Sequence, residues 1–250
     1  MSQAALDKFD QFLALAEEAG IYVDPTGPDH WEGLPEWAQT ERYADGSMLN
    51  ALEPFWRMFA TRCRRRTVLF AVLFADDLLN EPQVPWDSPH LRPGWNAWLD
   101  RRYTNIAWMA TAWNVPQQSL VPKCISVPPR EDCLRCPKLL DFQHFRQHVA
   151  QEWIWRQVRA IRAVDPDALV TGGLVQWSVP LALAGRWHYS GSSPHRIAAY
   201  LDFLQIHFCP LAGGFYADQP EDDVGNLAYL YALLQELGRA SKSVVLDEFG

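Results

Sequence analysis

The sequence has few cations, no apolar run of membrane length, no leader pattern and no glycine-rich phosphate loop, and each shortage removes a class of function. Its 22 Lys and Arg stand against 30 Asp and Glu, a formal charge of −8. Nucleic-acid binding is driven by clustered cations that neutralise phosphates, so nucleic acid is not an expected partner. The one basic run, "RCRRR" from Arg62 to Arg66, falls where a helix is expected to end and reads as a cationic last turn facing the helix dipole. No apolar stretch approaches bilayer length, and the start "MSQAALDKFD" lacks a basic-then-apolar leader, so no membrane partner is expected. As it stands the chain reads as cytoplasmic, with secretion left open if its N-terminus is incomplete. Five cysteines, an odd number, fit reduced thiols better than a disulfide framework.

What is abundant is aromatic: 12 Trp, 8 Tyr and 12 Phe. Many of the Trp sit beside Pro, Gly and polar residues, as in "DHWEGLPEW", "VPW" and "VQWSVP". Rings on loops suggest a cleft that holds something with flat apolar faces.

Along the chain, helical and strand-like patterns alternate. Leu6, Phe9, Phe12, Leu13 and Ala16 repeat at helical spacing and stop at Gly20, after which "IYVDP" reads as a short strand. A second helical pattern carries Leu52, Phe55, Trp56 and Phe59, and Pro54 either opens that helix or kinks it. Next comes "TVLFAVLFADDLLNEP", in which "VLFA" occurs twice in tandem from Val68. An insertion of four is even and leaves strand faces unchanged, so this strand is either longer than most or begins in a loop. Residues 83–140 read as an irregular insertion with one short helical piece around Trp95 to Tyr103. A long helix from Asp141 leads to the strand "ALVTGGLVQW"; a helix capped by Ser with Pro194 in its first turn leads to "LDFLQIHF"; a last helix, from about Asp223 to Gly238, leads to "SVVLDEFG".

Such alternation means parallel strands with crossover helices. Five strands are expected, where a closed barrel of this kind needs eight. In a parallel α/β barrel every strand presents its C-terminal end to one face, and that face carries the chemistry. Glu81 ends one expected strand and Glu248 ends another, so both overlook one cleft. Two carboxylates across a cleft suit glycoside hydrolysis, in which one protonates the leaving oxygen while the other attacks the anomeric carbon or activates water.

"LLNEP" at one strand end and "DEFG" at the end of the third strand after it resemble the acid/base and nucleophile signatures of clan A glycoside hydrolases, especially the cellulase-like family 5. "IHF", Ile206 to Phe208, resembles that family's His-bearing sixth strand, and "WNAWLDRRY" and "IRAVDPDALVTGG" also read like its members. The resemblance covers most of the chain and implies a (β/α)8 TIM barrel present in part, about strands 3 to 7, as a single domain over residues 1–250. It implies a retaining glycosidase acting on β-linked glycans, with Glu81 as acid/base and Glu248 as nucleophile. Asn80 would bind the sugar 2-hydroxyl, His207 would line the cleft, and no cofactor is implied. Where the family usually carries a Tyr two positions after the sixth-strand His, this chain has Cys209, and Tyr216 is a candidate to replace it.

His30 and the loop residues Trp31, Trp86 and Trp177 are further candidates for contact with sugar, Trp177 equally for the core. Cys124, Cys133 and Cys136, with His144, look superficially like part of a zinc knot, but a full four-ligand spacing is missing. Two rival readings remain: a catalytically inactive carbohydrate-binding barrel fragment, and a metal-dependent hydrolase using His30, His207 and the cysteines.

Overall fold

Helix α1 (Gln3–Ala19) forms where apolar residues recur on one face, and it buries Leu6, Leu13 and Ala16. Ser2 caps its start by accepting from the Ala5 amide at 3.3 Å, and Gly20 ends it in the left-handed region at φ 68°. The computed structural model describes residues 2–28, 42–69, 72–129, 136–179, 190–209 and 223–249.

Helix α2 (Gly46–Leu69) continues through Pro54, so the helix does not begin at that proline. It also continues past the basic run, which therefore is not its last turn. Arg and Leu are good helix formers and nothing in "RRRTVL" stops the helix. Arg62 instead reaches across to α1, pairing with Asp7 at 2.9 Å and Asp10 at 2.6 Å.

The first "VLFA" copy accordingly starts inside α2, and strand β1 is only Asp76–Asn80. Of the two alternatives for that apolar run, the strand begins after a loop. The segment expected as the first strand pairs with this region through two parallel bridges, Val23 with Leu73 and Thr26 with Asp77.

The region expected to be irregular is more ordered than its composition suggests. It holds α3 (Leu91–Arg102) and α4 (Ile106–Trp113). Asn105 starts α4 by accepting from the Trp108 amide at 2.9 Å, and Asn114 ends it at φ 54°. Trp95, wholly buried, packs against Trp98, Trp113, Phe142 and Phe145, which ties α3 and α4 to the long helix α5 (Pro137–Arg162). Burying one such ring removes roughly 150–250 Å² from water. Asp141 of α5 accepts from the Tyr103 hydroxyl and from Trp113 Nε1 at 2.8 Å, and pairs with Arg102 Nε at 2.8 Å. Helix α5 also holds α2, where Trp56 Nε1 donates to Gln157 Oε1 at 2.7 Å.

After α5 come β2 (Val170–Val175), the single-turn α6 (Pro194–Ile197), β3 (Leu204–Phe208), α7 (Asp223–Gly238) and β4 (Val244–Phe249). The sheet order is β1-β2-β3-β4 and every pairing is parallel. Neighbours in the sheet are also neighbours in the chain, so the order never reverses. With right-handed crossovers, that puts the helices on one face and leaves the other face to line a barrel interior. Strand β4 pairs on one side only among the described residues, and Phe249 beyond Glu248 is 73% exposed.

Candidate active site

Because all four strands are parallel, their C-terminal ends share one rim. Strand β1 ends at Asn80, followed at once by Glu81; β3 carries His207 next to its last residue, and β4 carries Asp247 and Glu248. Along β3, Gln205 and His207 share the inward face, while Leu204, Ile206 and Phe208 alternate with them.

Glu81 is held in an uncommon conformation. Its φ is +47°, in the left-handed region that a non-glycine residue rarely occupies, while its amide donates to the Gly173 carbonyl at 2.8 Å. Such strain persists only where the surroundings over-determine it, and here the bond to β2 fixes the backbone.

Three acids converge on His207, whose side chain is 4% exposed. Its Nδ1 lies 3.3 Å from Glu81 Oε1 and 3.4 Å from Glu248 Oε2, and its Nε2 lies 3.3 Å from Asp247 Oδ2. The nearest oxygens of Glu81 and Glu248 are within 4.8 Å of one another.

Two local features make this convergence possible. A strand alternates its side chains, so Asp247 and Glu248 should point to opposite faces. The register, however, shifts between Ile206 and His207: Leu246 pairs with Ile206, while His207 pairs with Glu248. Asp247 is thus the extra residue of a bulge, which re-aims it so that both acids reach the same imidazole. The second feature is Gly173 on β2. A Cβ there would lie 2.7 Å from His207 Nε2, closer than any side chain tolerates, so the imidazole occupies the space that glycine leaves.

Burial alone would favour the neutral imidazole. The bonds to Asp247 and Glu81 and the charges of Asp247 and Glu248 outweigh it and push His207 up to about 10. The acidic surroundings continue inward. Asp77 accepts from the Gly173 amide at 2.8 Å, and burial raises it above the usual carboxylate range despite that bond. Asp24 is pushed up to about 6 by burial and by the charge of Asp77, although Gln205 Nε2 donates to it. Sequence reasoning missed Asp247, Gly173, Asp77 and Asp24. The only signal was the alternation of polar Gln205 and His207 within an otherwise apolar strand.

Of the other candidates, Asn80 stands at the rim beside Glu81, and Trp177 lies in the turn Gln176–Ser178 that follows β2. Trp86 is engaged elsewhere: its Nε1 donates to the Pro128 carbonyl at 2.9 Å, Phe142 packs edge-on against it, and the Arg146 guanidinium lies 5.1 Å from its ring centre. Cys209 follows β3, where the buried Gln176 side chain accepts from its amide and donates to its carbonyl, at 2.7 and 2.6 Å. His30, Trp31, Tyr216 and Cys133 lie outside the described residues.

Among the described residues, Cys124, Cys136 and His144 do not gather at metal-ligand spacing; the one group that does is Glu81, His207 and Glu248. It is ill suited to a cation. Both nitrogens of His207 face carboxylate oxygens, an arrangement that favours the imidazolium, and an imidazolium has no lone pair to give a metal. A cleft of about 370 Å³ bordered by Asn96, Tyr103, Asn105 and Lys123 shares no residue with this cluster.

No protein-family model matches the chain, and no curated protein matches it in sequence. Solved structures do match. The β-galactosidase from Rahnella sp. R3 superposes with a TM-score of 0.75 over 97% of this chain at 17% identity. Gan42B, a GH42 β-galactosidase from G. stearothermophilus, gives 0.67 over 88% at 13% identity. The exo-β-1,4-mannosidase Op5Man5 from Opitutaceae bacterium strain TAV5 gives 0.59 over 98% at 19% identity. The chain spans 37%, 34% and 35% of their respective lengths. Its fold is therefore the α/β architecture of the TIM-barrel glycosidases, present in part.

Proposed function

We propose that this chain carries the catalytic pair of a retaining glycoside hydrolase acting on β-linked glycosides. The observation that carries the reading is the Glu81 to Glu248 separation, with the nearest oxygens within 4.8 Å at one rim of a parallel sheet. Retaining enzymes hold their two carboxyls about 5–5.5 Å apart, whereas inverting enzymes need roughly 6.5–9.5 Å to admit a water. The resemblance of "LLNEP" and "DEFG" to the cellulase-like family 5 supports the same pair, and the β-galactosidases and β-mannosidase of like fold suggest a β-galactoside or β-mannoside as substrate.

In this reading the Glu81 carboxyl gives its proton to the glycosidic oxygen as the Glu248 carboxylate attacks the anomeric carbon; the carbon–oxygen bond breaks and a glycosyl ester forms on Glu248. Glu81, now a carboxylate, takes a proton from water, whose oxygen attacks the same carbon and releases Glu248. Two inversions return the original configuration. Asn80 would donate to the sugar 2-hydroxyl, a bond that strengthens as charge develops on the ring.

The test is hydrolysis of aryl β-galactosides and β-mannosides, with the first-formed anomer read by proton NMR, and trapping with the matching 2-deoxy-2-fluoro glycoside. A β product and a label on Glu248 support the reading; an α product, or a label elsewhere, overturns it. Binding without turnover would favour an inactive carbohydrate-binding barrel, a reading helped by the 56% exposure of the Glu248 side chain.

A further inference from the structure

Resting on that catalytic reading, we propose that Asp247 is a positioning residue: from its bulge it anchors His207 through Nε2, so that the doubly protonated ring stays fixed as a cationic bridge between Glu81 and Glu248.

The geometry points one way. His207 Nδ1 is shared between Glu81 and Glu248 at 3.3 and 3.4 Å, so these bonds hold one edge of the ring only. The opposite edge is held by Asp247 at 3.3 Å, and Gly173 leaves room for Nε2. A regular β4 would turn Asp247 to the other face of the sheet, so the bulge places it on the ring.

Every titratable group that faces the imidazole among the described residues is an acid. Glu81 and, deeper, Asp77 come from β1 and its end, and Asp247 and Glu248 come from β4. Asp24 approaches through Gln205, and β2 contributes glycine. Without a cation at the centre, carboxylates gathered this closely would repel one another. Asp247 is also the acid that does not take part in bond making. It therefore keeps its charge after Glu248 becomes an ester, when the ring must still present Nδ1–H to the Glu81 carboxylate.

The chemistry keeps its balance without any proton leaving the ring. The acid proton moves from Glu81 to the glycosidic oxygen, and water returns one to Glu81. His207 retains both N–H bonds, and Asp247 acts only through it.

The experiment is nitrogen NMR of the His207 imidazole in the full chain, assigned by loss of its signal in His207→Gln. In the unmodified protein the ring should be doubly protonated at pH 8. In Asp247→Asn, where the amide cannot hold a charge opposite Nε2, the midpoint should fall by about two pH units or more, and Asp247→Glu should recover part of the shift. The kcat profile of Asp247→Asn should acquire an inflection at about pH 8 or below that the unmodified protein lacks, with KM little changed. A neutral ring in the unmodified protein at pH 8 overturns the proposal, and that measurement stands even if Asp247→Asn does not fold. So does an Asp247→Asn ring that stays doubly protonated through the same pH. If the chain cleaves no glycoside, the catalytic reading fails by itself, while the ring titration still reports whether Asp247 anchors His207.

Discussion

Gly173 and His207 meet so closely that a Cβ on the glycine would lie 2.7 Å from the histidine Nε2. One hydrogen replaced by a methyl group on β2 therefore acts on the imidazole before it acts on the sheet. Gly173→Ala should push the ring off Asp247 and cost about 1–3 kcal/mol of stability through overpacking. Its kcat should fall by on the order of tenfold or more if the ring moves by an ångström. Thermal unfolding and steady-state kinetics measured together check this, and unchanged kcat in a folded protein would contradict the role given to the ring.

The two glutamates should separate by leaving group. Glu81→Ala should lose on the order of 10²–10⁴-fold with poor leaving groups. It should lose much less with a dinitrophenyl glycoside, which departs without protonation. Glu248→Ala should lose activity with both, because no leaving group replaces a nucleophile. Equal losses for the two variants across a leaving-group series would contradict the assignment.

Asp76 supplies a pH test away from the rim. Burial, and then the charges of Asp165 and Asp24, push it up to about 7 from 3.8. A carboxyl whose folded value is raised binds its proton more tightly when folded. Its contribution is thus fully present below about 3.8 and is lost as pH climbs through about 7. Asp76→Asn should remove that loss and make the protein more stable at pH 8 by about 1–3 kcal/mol, with little change at pH 4. His207 has the same sign in a higher window, with stability present below about 6.5 and lost through about 10. Urea unfolding at the two pH values decides the Asp76 case.

Asp141 offers a contrast, since it binds three donors, none of them a residue of the rim cluster. Asp141→Ala leaves Arg102, Tyr103 and Trp113 without their acceptor and should cost about 1–3 kcal/mol, chiefly through the buried Trp113 N–H, since Arg102 can turn to water. The kcat of the folded fraction should not change. Denaturation and active-site titration together check both halves.

Much of the fold was legible in the sequence where apolar runs were short and bounded. "ALVTGGLVQW", "LDFLQIHF" and "SVVLDEFG" each contain the strand expected of them, and helix α7 spans the residues its pattern indicates. The run from Val68 misled because an apolar stretch without turn residues fits a helix end as well as a strand, and α2 takes its first residues. Helix α4 was hidden because "IAWMATAW" is apolar nearly all round and shows no face; its Asn105 and Asn114 boundaries were the signal to follow. The carboxylates at the rim were legible because strand ends in a parallel sheet converge. Asp247 was not, because alternation argues for the opposite face and only the slipped register reverses it.

The left-handed backbone at Glu81 carries an evolutionary cost that its neighbours do not share. Glycine would relax that residue by about 1 kcal/mol, and asparagine by somewhat less. A laboratory selection that rewards heat resistance alone should therefore drift toward those two residues at position 81 and discard the carboxyl proposed as proton donor. On the proposed reading, sturdier descendants would be poorer catalysts, and the tension between the two traits would be concentrated in a single torsion angle.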